Sequence, residues 1–270
     1  MDIRAKKIIL KAKKQVFSGM LGNNSSLFKG QGFDFMELRQ YQEYDDVKHI
    51  DWITTAKKNT PYVKVFHEQR QLQIALLPLL TGSLYFGTKG LKYEQLARVC
   101  AILGFVAMKN SDCCTALEYS TTSYKKQRPI KNSFALHQYL TDLLEFNYLQ
   151  HKIDPTHLSK LKLRPSLLFV LGDFVGNYDL SKLSAKHDVV AIIIRDRFEK
   201  DPQPLGIIDA IDPVYGSKAQ LNCDNEFTKN YKAKMAENDR KLITHFQKYG
   251  IRHLTIYSDE DPYKKLLQNF

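Results

Sequence analysis

A chain of 270 residues that is 43% hydrophobic, with 15 tyrosines and 15 phenylalanines, can bury a sizeable core, as one α/β domain with an appendage or as two small domains. No apolar run approaches the roughly 18 residues that span a bilayer, and Ile8-Ile9-Leu10 is too short for a signal-peptide core, so the expectation is a cytoplasmic protein without a transmembrane segment. The net charge of +11 gathers at Arg4, Lys6, Lys7, Lys11, Lys13 and Lys14 and in the acid-free stretch Lys125, Lys126, Arg128 and Lys131. No groove-reading motif accompanies it, so no specific nucleic-acid site is expected.

Residues 2–18 read as a basic amphipathic helix with Asp2 as its cap and Ile3, Ile9 and Val16 among its apolar positions. It could lie on a membrane surface, but Phe17, Met20 and Leu21 suggest docking on its own protein. Gly19 to Gly32 is a Gly/Asn/Ser loop, and Tyr62 to Phe66 a strand closing the N-terminal part. Strands and helices then alternate. Leu72 to Leu80 is an apolar strand broken by Pro78, Tyr93 to Met108 a buried helix, Thr115 to Tyr119 a strand and Phe134 to Leu149 a helix, with a short helix over Pro155 to Leu161. Leu167 to Leu171 and Val189 to Ile194 are continuous apolar runs, as in strands covered on both faces. Gly206 to Ile211 and Ala219 to Leu221, around Pro213-Val-Tyr-Gly216, form a hairpin insertion. Lys229 to Tyr249 is a long helix, followed by a strand over Ile251 to Ile256 and a closing helix near Pro262 to Leu267. The alternation predicts a doubly wound, mostly parallel α/β sheet over residues 71–270, preceded by an N-terminal appendage over 1–70.

The densest chemistry lies between Gly30 and Arg70. Gly30, Gly32, Asp34, Phe35, Arg39, Tyr41, Asp45, Asp46, Ile50, Asp51, Trp52, Thr55, Ala56 and Lys57 crowd acids, bases and aromatics with neither helical nor strand period. Two readings stand side by side: Arg39 pairs with Asp45, Asp46 or Asp51 in a structural network, or the segment is a recognition surface.

The order and spacing of these residues resemble the signature G-x-G-x-[ED]-F, R-x-Y, D-D, I-D-W, [ST]-A-[RK] of the bacterial and archaeal family called domain of unknown function fifty-eight. The resemblance covers nearly the whole chain. It implies a von Willebrand A-like fold and, by analogy with members encoded beside MoxR-type AAA+ ATPases, an adaptor that works with such an ATPase on other protein complexes. The von Willebrand A fold places a metal-ion-dependent adhesion site after its first strand, built on D-x-S-x-S. The corresponding residues here are Leu79-Leu-Thr81-Gly-Ser83, with Asp173 at the distal carboxylate position. Leucine has replaced the first acid, so the resemblance implies a degenerate site with at most weak magnesium binding and no intrinsic metal cofactor.

Other chemistry is not expected. Gly82-Ser-Leu-Tyr-Phe-Gly87-Thr88-Lys89 inverts the phosphate-loop order, and its bulky residues would crowd a backbone cradle. The eight histidines are scattered, with no G-x-S-x-G and no H-E-x-x-H. Cys100, Cys113, Cys114 and Cys223 lack C-x-x-C spacing and read as buried thiols. Asp45, Asp46 and Asp51 read as well as ion-pair partners as acid/base catalysts, and Arg195-Asp196-Arg197 with Glu199 reads as a salt-bridged loop. The sequence therefore leads to a non-enzymatic protein-interaction adaptor. Its alternative is a metal-dependent ligand-binding or hydrolytic domain at the degenerate site.

Overall fold

The computed structural model describes residues 3–18, 35–66, 71–120, 123–153, 158 and 160–269. The chain forms two compact units, Lys29–Gln71 in one and Met1–Phe28 with Leu72–Phe270 in the other. Helix α1 (Ile3–Ser18) belongs to the larger unit, whereas the sequence grouped it with the signature segment. Ala5, Ile9, Ala12 and Val16 are buried in the larger unit's core at helical spacing, while Lys6, Lys7, Lys11, Lys13 and Lys14 face outward. Ile3 is exposed rather than part of that stripe. Met20, Leu21 and the loop to Gly32 lie outside the described residues.

In the smaller unit, β1 (Phe35–Gln40) pairs antiparallel with β2 (Tyr62–Phe66), and α2 (Trp52–Lys58) lies between them in sequence. Left-handed Asn59 ends α2 and turns the chain into β2.

The larger unit is built on β3 (Gln73–Pro78), β4 (Cys113–Ser120), β5 (Ser123–Pro129), β6 (Leu167–Gly172) and β7 (Asp188–Arg195). A separate antiparallel hairpin, β8 (Gly206–Ile211) with β9 (Lys218–Cys223), precedes the last strand, β10 (Arg252–Tyr257). The sheet order is β10-β7-β6-β3-β4-β5, parallel throughout except for β5. Counted along the sheet from β5, this is the doubly wound order 3-2-1-4-5-6, with its reversal between β3 and β6. The basic stretch that ends at Lys131 is not a loop throughout: through Pro129 it forms the antiparallel edge strand β5.

Helices cover both faces, which is why the central strands are apolar on both. On one face Ile74, Leu76, Phe169, Leu171, Val190 and Ile192 meet α1, α3 (Lys92–Lys109), α4 (Ser133–Glu145) and α8 (Pro262–Asn269). The alternate residues Ala75, Leu77, Leu168, Val170 and Ala191 meet Leu183 of the short α5 (Ser181–Ser184) and Leu242 and Phe246 of α7 (Asn225–Lys248). Gly104 lets α3 and α4 approach: a Cβ there would lie 2.8 Å from Leu136 Cδ1. Cys100, Cys114 and Cys223 are buried free thiols, and burial pushes Cys114 up to about 12.

Candidate functional site

The carboxyl ends of β3 and β6 flank the point where the strand order reverses, the usual ligand position of an open α/β sheet, with β7 and β10 following along the same sheet. From β3 the chain runs through Leu79 and Leu80 into a short 3-10 turn (Gly82–Tyr85) and enters α3 at Lys92. Gly82 donates its N–H to the His151 carbonyl at 2.8 Å, and a Cβ at this position would lie 2.0 Å from the Pro213 carbonyl oxygen. Only glycine fits this crossing. It fixes where Thr81 and Ser83 stand, and their hydroxyls share a hydrogen bond of 2.8 Å.

Lys92, in the first turn of α3, is 1% exposed. Its Nζ lies 3.1 Å from Asp173 Oδ2, just beyond β6, and 2.6 Å from Glu199 Oε1, in the short helix α6 (Arg197–Lys200) after β7. A lysine is almost never fully buried unless paired. Here one ammonium answers two carboxylates brought by two other strands. Burial pushes the Asp173 carboxyl up, but Lys92, a hydrogen bond from Ser83 and the charge of Arg195 outweigh it and hold it below the usual carboxylate range.

Glu199 is itself anchored. Its Oε2 accepts the Asp196 N–H at 2.9 Å, while Asp196 Oδ1 accepts the Phe198 N–H at 2.9 Å, a capping box that opens α6. The remaining capacity of Asp196 takes the Thr88 N–H at 2.9 Å, the Thr88 hydroxyl at 2.8 Å and the Ser258 hydroxyl at 2.7 Å. Burial would raise the Asp196 carboxyl, yet donation from Ser258, Thr88 and Phe198 lowers it. Around this centre, Arg195 pairs with Asp239 of α7, and Arg197 with Asp259 at 2.9 Å and Glu260 at 3.3 Å.

Ser83 touches both Thr81 and Asp173, but Leu79 stands apart. Its side chain is 1% exposed among Ala75, Leu77 and Val170, in the core. A resident divalent cation does not fit this arrangement. It would have to displace an ammonium already held by both carboxylates, with an apolar side chain where a ligand is needed. Among the described residues no group of three or more His, Cys, Asp or Glu side chains is placed to hold a metal.

The signature residues form a second cluster, in the smaller unit. Arg39 makes a two-pronged pair with Asp45 at 2.8 and 2.6 Å, and Asp45 also takes the Gln42 N–H at 2.7 Å. The Arg39 guanidinium and the Gln42 N–H hold the Asp45 carboxyl below its usual range. Asp46 caps the turn at Val47–His49 through the Lys48 N–H at 3.0 Å. Asp51 accepts from the Thr54 hydroxyl at 2.8 Å and lies 3.7 Å from Lys64 Nζ. Arg39 and Asp51 therefore hold separate turns. Trp52 is 66% exposed, Tyr44 98% and Ile53 70%. Tyr41 is half-buried and Lys57 exposed, while Gly30, Gly32 and Asp34 lie outside the described residues, as does the Phe35 side chain.

Sequence reasoning missed Lys92, Thr88 and Ser258, and saw Asp196 and Glu199 only as a local salt-bridged loop. The available signal was a lysine opening a helix that is apolar on most of its surface. Among the described residues, Ser166 Oγ lies 3.0 Å from His187 Nδ1, a serine–histidine contact at the amino ends of β6 and β7, opposite the cluster. Burial lowers the His187 imidazole, and its buried Nε2 has no hydrogen-bond partner among the described residues. Among the described residues no third side chain orients it as a base would require.

The family model described as protein of unknown function DUF58 matches residues 37–241. Uncharacterized proteins Mb1516 of Mycobacterium bovis and Rv1480 of Mycobacterium tuberculosis are each 23% identical over 262 residues, covering 92% of this chain and 82% of theirs. Two solved structures also align. One is a conserved hypothetical protein BatB from Bacteroides thetaiotaomicron, at 8% identity and TM-score 0.44, covering 73% of this chain and 96% of that one. The other is an aerotolerance-related membrane protein from Bacteroides fragilis, at 10% identity and TM-score 0.38, covering 66% of this chain and 98% of that one.

Proposed function

This chain belongs to the DUF58 family of proteins of unknown function, and from that premise we propose that it is a non-enzymatic adaptor. Its partner is a MoxR-type AAA+ ATPase in the cytoplasm, and its role is to help that ATPase assemble or activate other protein complexes. The observation that carries this reading is the buried Lys92 with its two carboxylates. At the place where an α/β sheet usually receives a ligand, both carboxylates are already paired with one ammonium. The metal-dependent alternative would need that lysine displaced.

The apolar side chains of the signature segment add support. Tyr44, Val47, Trp52 and Ile53 are exposed within a short stretch, and aromatic residues are enriched where proteins meet. Ile207, Ile211 and Tyr215 on the hairpin are likewise exposed. Among the described residues no helix is long and apolar enough to cross a membrane.

The test is co-purification from native lysate, followed by a binding titration with the MoxR-type ATPase of the same organism. The reading expects a saturable complex and no nucleotide hydrolysis by this chain alone. Hydrolysis by the isolated chain, or no complex with any such ATPase, contradicts it.

A further inference from the structure

Helix α1 carries two apolar stripes. The inner one, Ala5, Ile9, Ala12 and Val16, is buried in the larger unit's core. On the opposite side Ile3, Leu10 and Phe17 are exposed by 70%, 58% and 48%. A spacing of seven residues drifts by only about 20° per repeat around an α-helix, so the three side chains form one ridge roughly 21 Å long. Lys6 and Lys13 flank the ridge on one side, and Lys7, Lys11 and Lys14 on the other, all of them exposed. The helix has no acidic residue. At the end of α3, Lys109 brings its ammonium to 5.6 Å from the Phe17 ring centre, so the basic rim continues past the helix itself. A single exposed leucine needs no explanation. An apolar ridge framed by cations on both sides does, because the inner stripe alone holds α1 in place.

We propose that this outer face of α1 rests on an anionic lipid surface, with Ile3, Leu10 and Phe17 entering the boundary between headgroups and acyl chains. The inference does not depend on the adaptor reading. The helix lies along the surface and does not cross it: among the described residues no helix is long and apolar enough to span a membrane. The rival occupant is an acidic protein, and the residue types speak against it. Protein interfaces favour arginine and aromatic residues and are depleted in lysine. Here the cations are lysines, apart from Arg4, and Phe17 is the sole aromatic of the helix. A lysine can lay its methylene stem along the acyl boundary while its ammonium reaches a lipid phosphate. The ridge residues stand one by one between charges, an arrangement that fluid lipid accepts without a matching pocket. The net charge of +11 draws the whole chain toward such a surface.

The experiment is co-sedimentation of the full chain, with no ATPase present, at low salt. The vesicles are two parts phosphatidylcholine to one part phosphatidylglycerol, compared with phosphatidylcholine alone. Binding is expected to the anionic vesicles only. Two multiple variants, each confirmed as folded by circular dichroism, separate the ridge from the charge. Ile3→Ser with Leu10→Ser and Phe17→Ser keeps every charge and should weaken binding at least about ten-fold. Lys6→Gln with Lys7→Gln and Lys13→Gln should weaken it roughly a hundred-fold, at about five-fold per lysine beside an anionic leaflet. Poly-glutamate, offered at the same concentration of negative charge, stands for an acidic protein and should bind more weakly than the vesicles. No binding to the anionic vesicles, equal binding to phosphatidylcholine alone, or unchanged binding of the serine variant overturns the proposal. Tighter binding of poly-glutamate than of the vesicles also overturns it, and assigns the face to an acidic protein.

Discussion

Lys92 and Glu199 are separated by 107 positions in sequence, yet Nζ and Oε1 lie 2.6 Å apart in the interior, with Asp173 on the ammonium's other side. The first turn of α3 is thereby tied to the ends of β6 and β7. Removing one member of a buried pair typically costs about 3–5 kcal/mol, because the partner is left charged and unpaired. Lys92→Met is expected to lower stability by that order in urea denaturation. Adding Asp173→Asn and Glu199→Gln should recover part of the loss. A single variant as stable as the wild type would mean that the cluster contributes nothing.

The same ammonium bears on metal binding. Calorimetry of the wild-type chain with magnesium and manganese should give no affinity better than roughly millimolar, the weak end of oxygen-ligand sites. Leu79→Asp alone places a carboxylate in the core and is expected to destabilise without gaining metal. In a Lys92→Gln background, Asp173 and Glu199 lose their cation and metal binding should strengthen, while Leu79→Asp, whose side chain stands in the core, should add nothing to it. Micromolar binding by the wild type that disappears in Asp173→Ala would contradict this view.

Stability should fall on acidification. Asp173 and Asp196 both have carboxyls held lower in the folded chain than their ordinary value near pH 4. A group lowered on folding contributes stability that is full above its unfolded value and is lost as pH falls through its folded one. Melting temperatures measured from pH 7 to pH 3 should therefore decline most steeply below about pH 4. Asp173→Asn should melt lower at pH 7 and show a shallower acid limb. A wild-type curve flat to pH 3 would remove the two carboxylates from the balance.

The signature segment separates stability from binding. Arg39 and Asp45 are both partly solvent-accessible, so Arg39→Ala is expected to change the melting temperature only slightly. Trp52→Ala removes an exposed ring, and should leave the melting temperature unchanged while weakening the complex with the ATPase. Equal affinity in wild type and Trp52→Ala would exclude this ring from the interface.

Much of the architecture is legible in the sequence. The apolar runs at Leu167–Leu171 and Val189–Ile194 become the doubly covered strands β6 and β7, and the 3.6-residue spacing in α3 and α4 marks their buried faces. Strand β5 is not legible, because Ser-Tyr-Lys-Lys-Gln-Arg-Pro is charged like a loop, the composition by which an edge strand resists unwanted pairing. The convergence of Thr81, Ser83 and Asp173 follows from fold resemblance. The burial of Lys92 does not, since Leu91-Lys-Tyr-Glu-Gln looks like a solvated first turn, and only the three-dimensional placement of Asp173 and Glu199 reveals its partners.

Charge should set the rate of association. The outward lysines of α1 present a basic face, and steering by such a face weakens as the Debye length shrinks from about 10 Å at 0.1 M salt to about 3 Å at 1 M. Replacing Lys7, Lys11 and Lys14 with glutamine should slow association with the ATPase without lowering the melting temperature. Association rates identical in wild type and variant at low salt would take this face out of the encounter.

The adaptor reading has this chain bind a protein through a surface that needs no metal of its own. The most direct measurement is a calorimetric titration of the purified chain, stripped with EDTA, into the MoxR-type ATPase of the same organism. Saturable binding is expected, unchanged when the chain is pre-incubated with magnesium. Absence of binding, or binding that appears only after magnesium is given to this chain, would contradict it.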